Sequence, residues 1–262
     1  MTYPWIMGAT RAFAIALLPI ALLSAAHAGD AAARKIIGFS PDGRHFAFEQ
    51  YTQLYDATEI VADIQLIDTG KDDFVKGSPF SIRTKDDDER EVDAVRAELM
   101  AKAKPTLDKL GITEPGTRFA GKPSMDLDEI GIYQMDPKPL AATQAITLPD
   151  GRKLLLTISD QALGKASCYG AGGRGTTGSI IVTGAKLQMS IDGAAPVTLA
   201  QDKQLPKRRR CVTAYGIAEV YHHQAKDGAQ TLAVLVETVD AHEFHAGPNR
   251  RFMAVTTRLP KP

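Results

Sequence analysis

Residues 36–68 read IIGFSPDGRHFAFEQYTQLYDATEIVADIQLID, and this stretch decides the fold class. The apolar run 36–39 ends at Ser40-Pro41-Asp42-Gly43, where proline fixes φ and glycine accepts φ > 0, so the chain reverses. Across residues 44–51, Phe46 and Phe48 fall on one face while His45, Glu49 and Tyr51 fall on the other. Residues 58–67 then set Ile60, Ala62, Ile64 and Leu66 against Glu59, Asp63 and Gln65. This is the period of two that a half-buried strand requires. Asp68-Thr69-Gly70 turns the chain again and residues 80–83 can add a strand, predicting a four-stranded antiparallel meander.

Downstream the period changes. Val92, Val95, Leu99, Ala103, Leu107 and Leu110 recur at spacings of three and four, predicting an amphipathic helix at about 88–110. The acidic run Asp86-Asp87-Asp88-Glu89 suits the positive end of its dipole, and Gly111 suits its stop. Pro105 removes one helical hydrogen bond and predicts a bend or split near residue 101. Residues 112–143, with Pro115, Pro123, Pro137 and Pro139, read as a connection that covers one face of the sheet.

Strands return from residue 144, at 146–148, 153–158, 179–182, 187–191, 212–221, 231–239 and 252–257. Within 231–239, Leu232, Val234 and Val236 face one way and Ala233, Leu235 and Val239 the other, so that strand should be central and covered on both sides. The expected organisation is a leader (1–28), a β-meander plus helix (29–111), the Pro/Gly-rich connection (112–143) and a C-terminal antiparallel region with a disulfide (144–262). The fold class is mainly β, with antiparallel sheets in a two-layered, sandwich-like arrangement and a propeller-like arrangement as the alternative.

Arg11, the apolar run 12–26 and Ala26-His27-Ala28 form the pattern of a secretory signal with cleavage after Ala28, the alternative being an uncleaved anchor. A helix over that run would span only about 22 Å at 1.5 Å per residue, short of a bilayer core of roughly 30 Å. No later apolar run is long enough to cross a membrane. Of 31 basic and 31 acidic side chains only Arg11 lies in the leader. The exported chain is therefore close to neutral, which argues against a whole-protein attraction to nucleic acid or membrane. Both cysteines, Cys168 and Cys211, lie in the exported part; in an oxidising compartment they should form a bridge, with two buried thiols as the rival.

No residue set specifies catalysis. Residues 170–179, GAGGRGTTGS, contain the dinucleotide spacing twice, but the mechanism needs a following helix and Ile180-Ile181-Val182 favour a strand. No cofactor is expected. His222 and His223 would point to opposite faces of a strand, and His242 with His245 lie between strands. Both pairs read as surface or hydrogen-bonded histidines rather than metal ligands, and no metal is expected. Neither a Gly-x-Ser-x-Gly elbow nor a Ser-x-x-Lys pair is present. Arg208, Arg209 and Arg210 ahead of Cys211, Tyr215, and Arg250 with Arg251 remain as ligand-binding candidates, since arginine holds carboxylate or phosphate through two parallel hydrogen bonds. A solvated basic loop is the plain alternative.

Residues 39–48, FSPDGRHFAF, followed by an Ile/Leu-rich strand ending in Asp-Thr-Gly, resemble one blade of a TolB-type β-propeller, with a partial echo at Pro149-Asp150-Gly151-Arg152. On a larger scale five features stand in order: the leader, GFSPDGRHFAFEQY, the lone Cys168, Asp202 with Leu205-Pro206 and Arg210-Cys211 ahead of Tyr215, and Gly247-Pro248-Asn249-Arg250-Arg251-Phe252. This order resembles the bacterial predicted secreted proteins grouped as domain of unknown function 2259. The resemblance implies export and a shared fold and carries no catalytic residue. The expected function is a non-catalytic periplasmic or secreted module, either binding or envelope-associated; its partner is open, with an envelope protein or an anionic ligand as the candidates. The alternative is a hydrolase acting on an envelope polymer or anionic small molecule.

Overall fold

Alternation of apolar side chains along extended backbone generates most of this protein, as a computed structural model shows for residues 31–54, 59–85, 87–121, 141–169, 176–204, 211–240 and 249–261. In chain order the elements are β1 (Ala33–Phe39), β2 (His45–Gln53), β3 (Ile60–Asp68), β4 (Asp73–Phe74), β5 (Phe80–Arg83), α1 (Val92–Leu110) and β6 (Thr117–Gly121). There follow β7 (Thr143–Thr147), β8 (Lys153–Tyr169), β9 (Thr177–Ile191), β10 (Val197–Gln201), β11 (Val212–Gln224), β12 (Gln230–Asp240) and β13 (Asn249–Arg258). The leader lies outside the described residues. No helix among those described is long and apolar enough to cross a membrane.

The strands form three antiparallel sheets. An N-terminal sheet runs β1-β2-β3-β4 with β5 also on β3, a central sheet runs β13-β12-β11-β6, and an outer sheet runs β10-β9-β8-β7. Three cores separate four layers. Ala47, Ile60, Ala62, Ile64 and Leu66 pack against Val95, Leu99, Ala103 and Leu107 of α1. On the opposite face, Phe46, Phe48 and Ile67 meet Ala233, Leu235 and Phe252 of the central sheet. Beyond that, Leu232, Val234 and Val236 meet Leu154, Leu156, Ile158 and Leu187 of the outer sheet. β12 is thus central and covered on both sides, as its two apolar faces require.

The architecture is sandwich-like, with one sheet more than the two-layered scheme. The blade-like stretch 36–68 supplies the first three strands of the N-terminal sheet of this stack, and no propeller forms among the described residues. Thr117–Gly121, within the proline-rich connection, adds β6 to the edge of the central sheet.

The helix is continuous from Val92 to Leu110 with Pro105 inside it, so the expected split does not occur. Pro105 and Ala101 both face solvent, so the carbonyl that proline deprives of its partner is open to water and the buried stripe at i, i+4 runs on undisturbed. Gly111 takes the left-handed conformation (φ 65°), and the N–H of Ile112 donates to Leu107 O at 3.0 Å, which caps the C-terminus.

The two Pro-Asp-Gly-Arg turns fasten the layers. In the first, Gly43 sits at φ +66° where a Cβ would lie 2.7 Å from Thr231 Oγ1. Its carbonyl accepts from Thr69 Oγ1 (2.7 Å) and Thr231 Oγ1 (3.2 Å), while Arg258 Nη2 donates to Asp42 O (2.9 Å). His223, buried and stacked on Phe39, has Nε2 3.3 Å from Pro41 O. In the second, Asp150 Oδ2 receives Arg152 (2.7 Å) and Gln230 Nε2 (3.0 Å), and Gln230 Oε1 lies 3.1 Å from His222 Nε2. His222 and His223 therefore face opposite layers and each serves one turn.

Candidate functional site

The edge of β13 faces a cleft of about 770 Å³ where the three sheets meet, lined from β2 and β3, from the β3–β5 turns, from β9 and β10, and from the cleft-side ends of β11 and β12. An open strand edge inside a fold needs its backbone groups satisfied, and here side chains supply the partners. Gln50 accepts from Phe252 N–H (2.8 Å, Oε1) and donates to Phe252 O (3.0 Å, Nε2); Gln65 Nε2 lies 3.4 Å from the same carbonyl. Four residues along, Asp72 Oδ1 accepts both Thr256 N–H (2.6 Å) and Thr256 Oγ1–H (3.0 Å). Asp72 adopts φ 51° to reach it. Burial raises the Asp72 carboxyl above its usual range, against the two Thr256 hydrogen bonds and with the help of neighbouring Asp73.

Among the described residues the lining around this edge contains five aspartates (Asp63, Asp72, Asp73, Asp202 and Asp240) and one arginine, Arg251. Several carboxylates also cap backbone or amide donors. Asp63 Oδ1 accepts from Gln65 Nε2 (3.0 Å), Asp73 Oδ1 from Phe74 N–H (2.7 Å) and Asp202 Oδ2 from Ala185 N–H (2.9 Å). Ile67, Phe74, Met253 and Val255 supply apolar wall, and Phe74 is 39% exposed. The cleft combines negative charge with an apolar surface, which suits a ligand carrying both cationic and apolar groups. Among the described residues no group of three or more His, Cys, Asp or Glu is arranged to hold a metal ion.

Of the candidates read from sequence, Arg251 lies in the cleft, with its carbonyl accepting from Thr238 Oγ1 (3.2 Å). Arg250, one residue along the strand, faces the other way. Its Nη1 pairs with Glu237 Oε1 at 2.8 Å in the seam between the N-terminal and central sheets. In that seam Arg34 stacks on the Phe252 ring at 4.3 Å and pairs with Glu219, whose second oxygen receives Tyr221 O–H. Tyr215 is buried between the central and outer sheets, donating through its N–H to Asp160 Oδ1 (2.9 Å) and through its hydroxyl to Thr183 O (3.3 Å). Arg208, Arg209 and Arg210 lie outside the described residues, as do His242 and His245.

Cys168 and Cys211 form the expected disulfide, with Cα atoms 5.9 Å apart. It ties the far part of the β8–β9 ribbon to the start of β11, where Val182, Ala166 and Ile180 pack around it. The segment after the glycine-rich stretch is the strand β9, not a helix.

Gln50, Gln65, Asp63 and Asp72 were not legible as a site. One signal was available: Gln50 shares a face with Phe46 and Phe48, and a polar residue on an apolar face needs a partner.

The family model for predicted secreted protein (DUF2259) matches residues 47–258. Neither a curated protein nor a solved structure matches the chain. The match spans most of the chain, from β2 through all three sheets to the end of β13. On that extent, the chain belongs to the DUF2259 family of predicted secreted proteins, a family of unknown function.

Proposed function

We propose that this protein is an exported, periplasmic binding module whose ligand occupies the cleft beside β13, with Arg251 as the ligand-facing member of the arginine candidates. The family description and the leader pattern at residues 1–28 support export. The observation that carries binding is the cleft itself. Its volume of about 770 Å³ lies within the roughly 300–1,000 Å³ of small-ligand sites, and it joins apolar wall to charged groups on rigid strands. A binding role suits the carboxylates better than a catalytic one. Asp72, Asp73 and Asp202 each spend an oxygen on a backbone N–H, which holds loops and edges in place.

The test is differential scanning fluorimetry of the full exported chain against peptides, polyamines, sugars and organic acids. It is run on wild type and on Ser81→Trp and Gln201→Trp, which place an indole in the cleft from exposed lining positions. A ligand at a hundred times its Kd stabilises the fold by about 2.7 kcal/mol. The expected result is a shift in wild type that both variants abolish. A shift that survives both substitutions overturns the assignment of the cleft.

A further inference from the structure

The edge of β13 inside the cleft has a docking geometry of its own. β12 and β13 pair without a register shift from Thr231↔Arg258 to Asp240↔Asn249, so alternate residues of β13 direct their N–H and C=O groups away from β12. Phe252 and Thr256 fix the phase, because their N–H groups cross the edge to Gln50 and Asp72. Ala254, halfway between, must present its own N–H and C=O outward on the same side. It lines the cleft, and among the described residues no hydrogen bond reaches that outward peptide edge. The capped positions thus bracket one open unit of strand edge. The window spans about 13 Å at roughly 3.3 Å per residue, room for three or four residues of another chain.

The geometry points to an extended basic peptide segment as the ligand of this cleft, added as a short strand whose backbone pairs with Ala254. The inference rests on the cleft being the ligand site and names what enters it. Main-chain pairing supplies the attachment, as in strand addition generally. Charge selects the sequence: among the described residues five aspartates and one arginine line the cleft, which favours lysine or arginine side chains on the incoming segment. Phe74, at the mouth, and Met253 offer apolar surface to the residues between them.

The test is fluorescence anisotropy of fluorescein-labelled Lys-Val-Lys-Val-Lys-Val with the full exported chain. Its controls are Glu-Val-Glu-Val-Glu-Val, a Lys-Val peptide with alternate backbone nitrogens methylated, and spermine as competitor. The basic peptide should bind saturably and weaken as salt rises, the acidic one should not bind, and N-methylation should abolish binding. Ala254→Pro removes the outward N–H and spares the β12 ladder, a placement that edge strands tolerate. It should weaken binding roughly three- to tenfold or more, as expected for one net hydrogen bond plus the ring's bulk. Equal binding of the methylated peptide, or spermine competing as well as the unlabelled peptide, overturns strand addition, and the methylated arm decides even if the proline variant misfolds. If the basic peptide does not bind while a library ligand is lost in Ser81→Trp, this inference fails and the cleft assignment stands; if no cleft-dependent ligand exists, both fail.

Discussion

Replacing Gln50 with alanine tests whether a side-chain amide, and not a strand, closes the edge of β13. Gln50 is 5% exposed and makes both hydrogen bonds that a neighbouring strand would offer Phe252, accepting at 2.8 Å and donating at 3.0 Å. In Gln50→Ala the Phe252 carbonyl retains Gln65 Nε2 at 3.4 Å, while its N–H loses the Gln50 Oε1 acceptor, with no second one among the described residues. An orphaned buried donor costs about 1–3 kcal/mol and a lost neutral hydrogen bond about 0.5–1.5 kcal/mol. Water entering from the adjoining cleft offsets part of this, leaving a loss of about 2 kcal/mol. Urea denaturation followed by far-UV circular dichroism at pH 7 measures it, with an unchanged m-value required for the comparison.

Gln50→Glu adds a sign. The acceptor for Phe252 N–H remains, while a carboxylate oxygen replaces the donor opposite Phe252 O and Asp63 Oδ1, the second contact of the native amide at 3.3 Å. Burial and the Asp63 charge should raise the new carboxyl above its unfolded value of about 4.3. Its folded pKa being the higher, the protonated form supplies stability that is present below about pH 4.3 and lost as pH rises through the folded pKa. The deficit relative to wild type must then be larger at pH 7 than at pH 4. A Gln50→Ala cost below about 0.5 kcal/mol, or a Gln50→Glu deficit that does not grow with pH, refutes the edge-cap reasoning.

Asp72→Asn keeps an acceptor for Thr256 and tolerates φ 51°, while removing a carboxyl whose pKa burial raises. It should match wild type near pH 3 and gain in urea midpoint as pH rises through the raised pKa; a loss above about 1 kcal/mol at pH 7 would contradict this. His222 is held below its ordinary value of 6.5 first by burial, so its neutral form stabilises the fold above that pH and the contribution is lost as pH falls from 6.5 towards the folded pKa. His222→Gln should flatten the fall in melting temperature between about pH 6.5 and 5, and parallel profiles would rule the ring out as a source. Cys168→Ser with Cys211→Ser removes a bridge across a separation of 43 residues, worth up to about 4 kcal/mol in the chain-entropy model. Hydrogen exchange should then rise in 164–169 and 177–183, which pack mainly on the small cluster around the bridge, and protection unchanged there would show that pairing alone holds the ribbon.

The elements legible in the sequence are those whose side chains alternate against a core. β2, β3 and β12 were readable because each buries an apolar set on at least one face, and α1 because Val95, Leu99, Ala103 and Leu107 repeat at four. β8 continues past Ile158 to Tyr169 through DQALGKASCY, where no alternation marks it; pairing with β9 and the disulfide hold it extended. The short edge strands β6 and β10 carry too few apolar residues to announce themselves. Asp63 and Gln65 fell on the polar face of β3, and polarity there resembled solvent exposure. That face instead meets the central sheet, where Gln65 is buried. The cleft was illegible for a related reason. Its aspartates come from separate strands and turns, and each alone has the signature of an ordinary turn or edge residue.

The two Pro-Asp-Gly-Arg turns explain why the cleft lies where it does. Both grip one end of the β11–β12 hairpin, near the pairs His223↔Thr231 and Gln224↔Gln230. The N-terminal turn holds it through His223 and Thr231, and the outer-sheet turn through His222 and Gln230. The cleft is at the opposite end, where Val212 pairs with Asp240 and both line it. At roughly 3.3 Å per residue the ten steps of β12 separate the ends by about 33 Å. At the turn end the three sheets are fastened to one another by buried and half-buried hydrogen bonds. At the cleft end β13 presents an edge to which, among the described residues, Gln50, Gln65 and Asp72 supply side-chain caps and Ala32 N–H a bond to Arg250 O. The turn at residues 40–44 thus fixes the frame at one end of the hairpin, while the cleft proposed above as the ligand site lies at the other, beside the Cys168–Cys211 bridge that precedes β11.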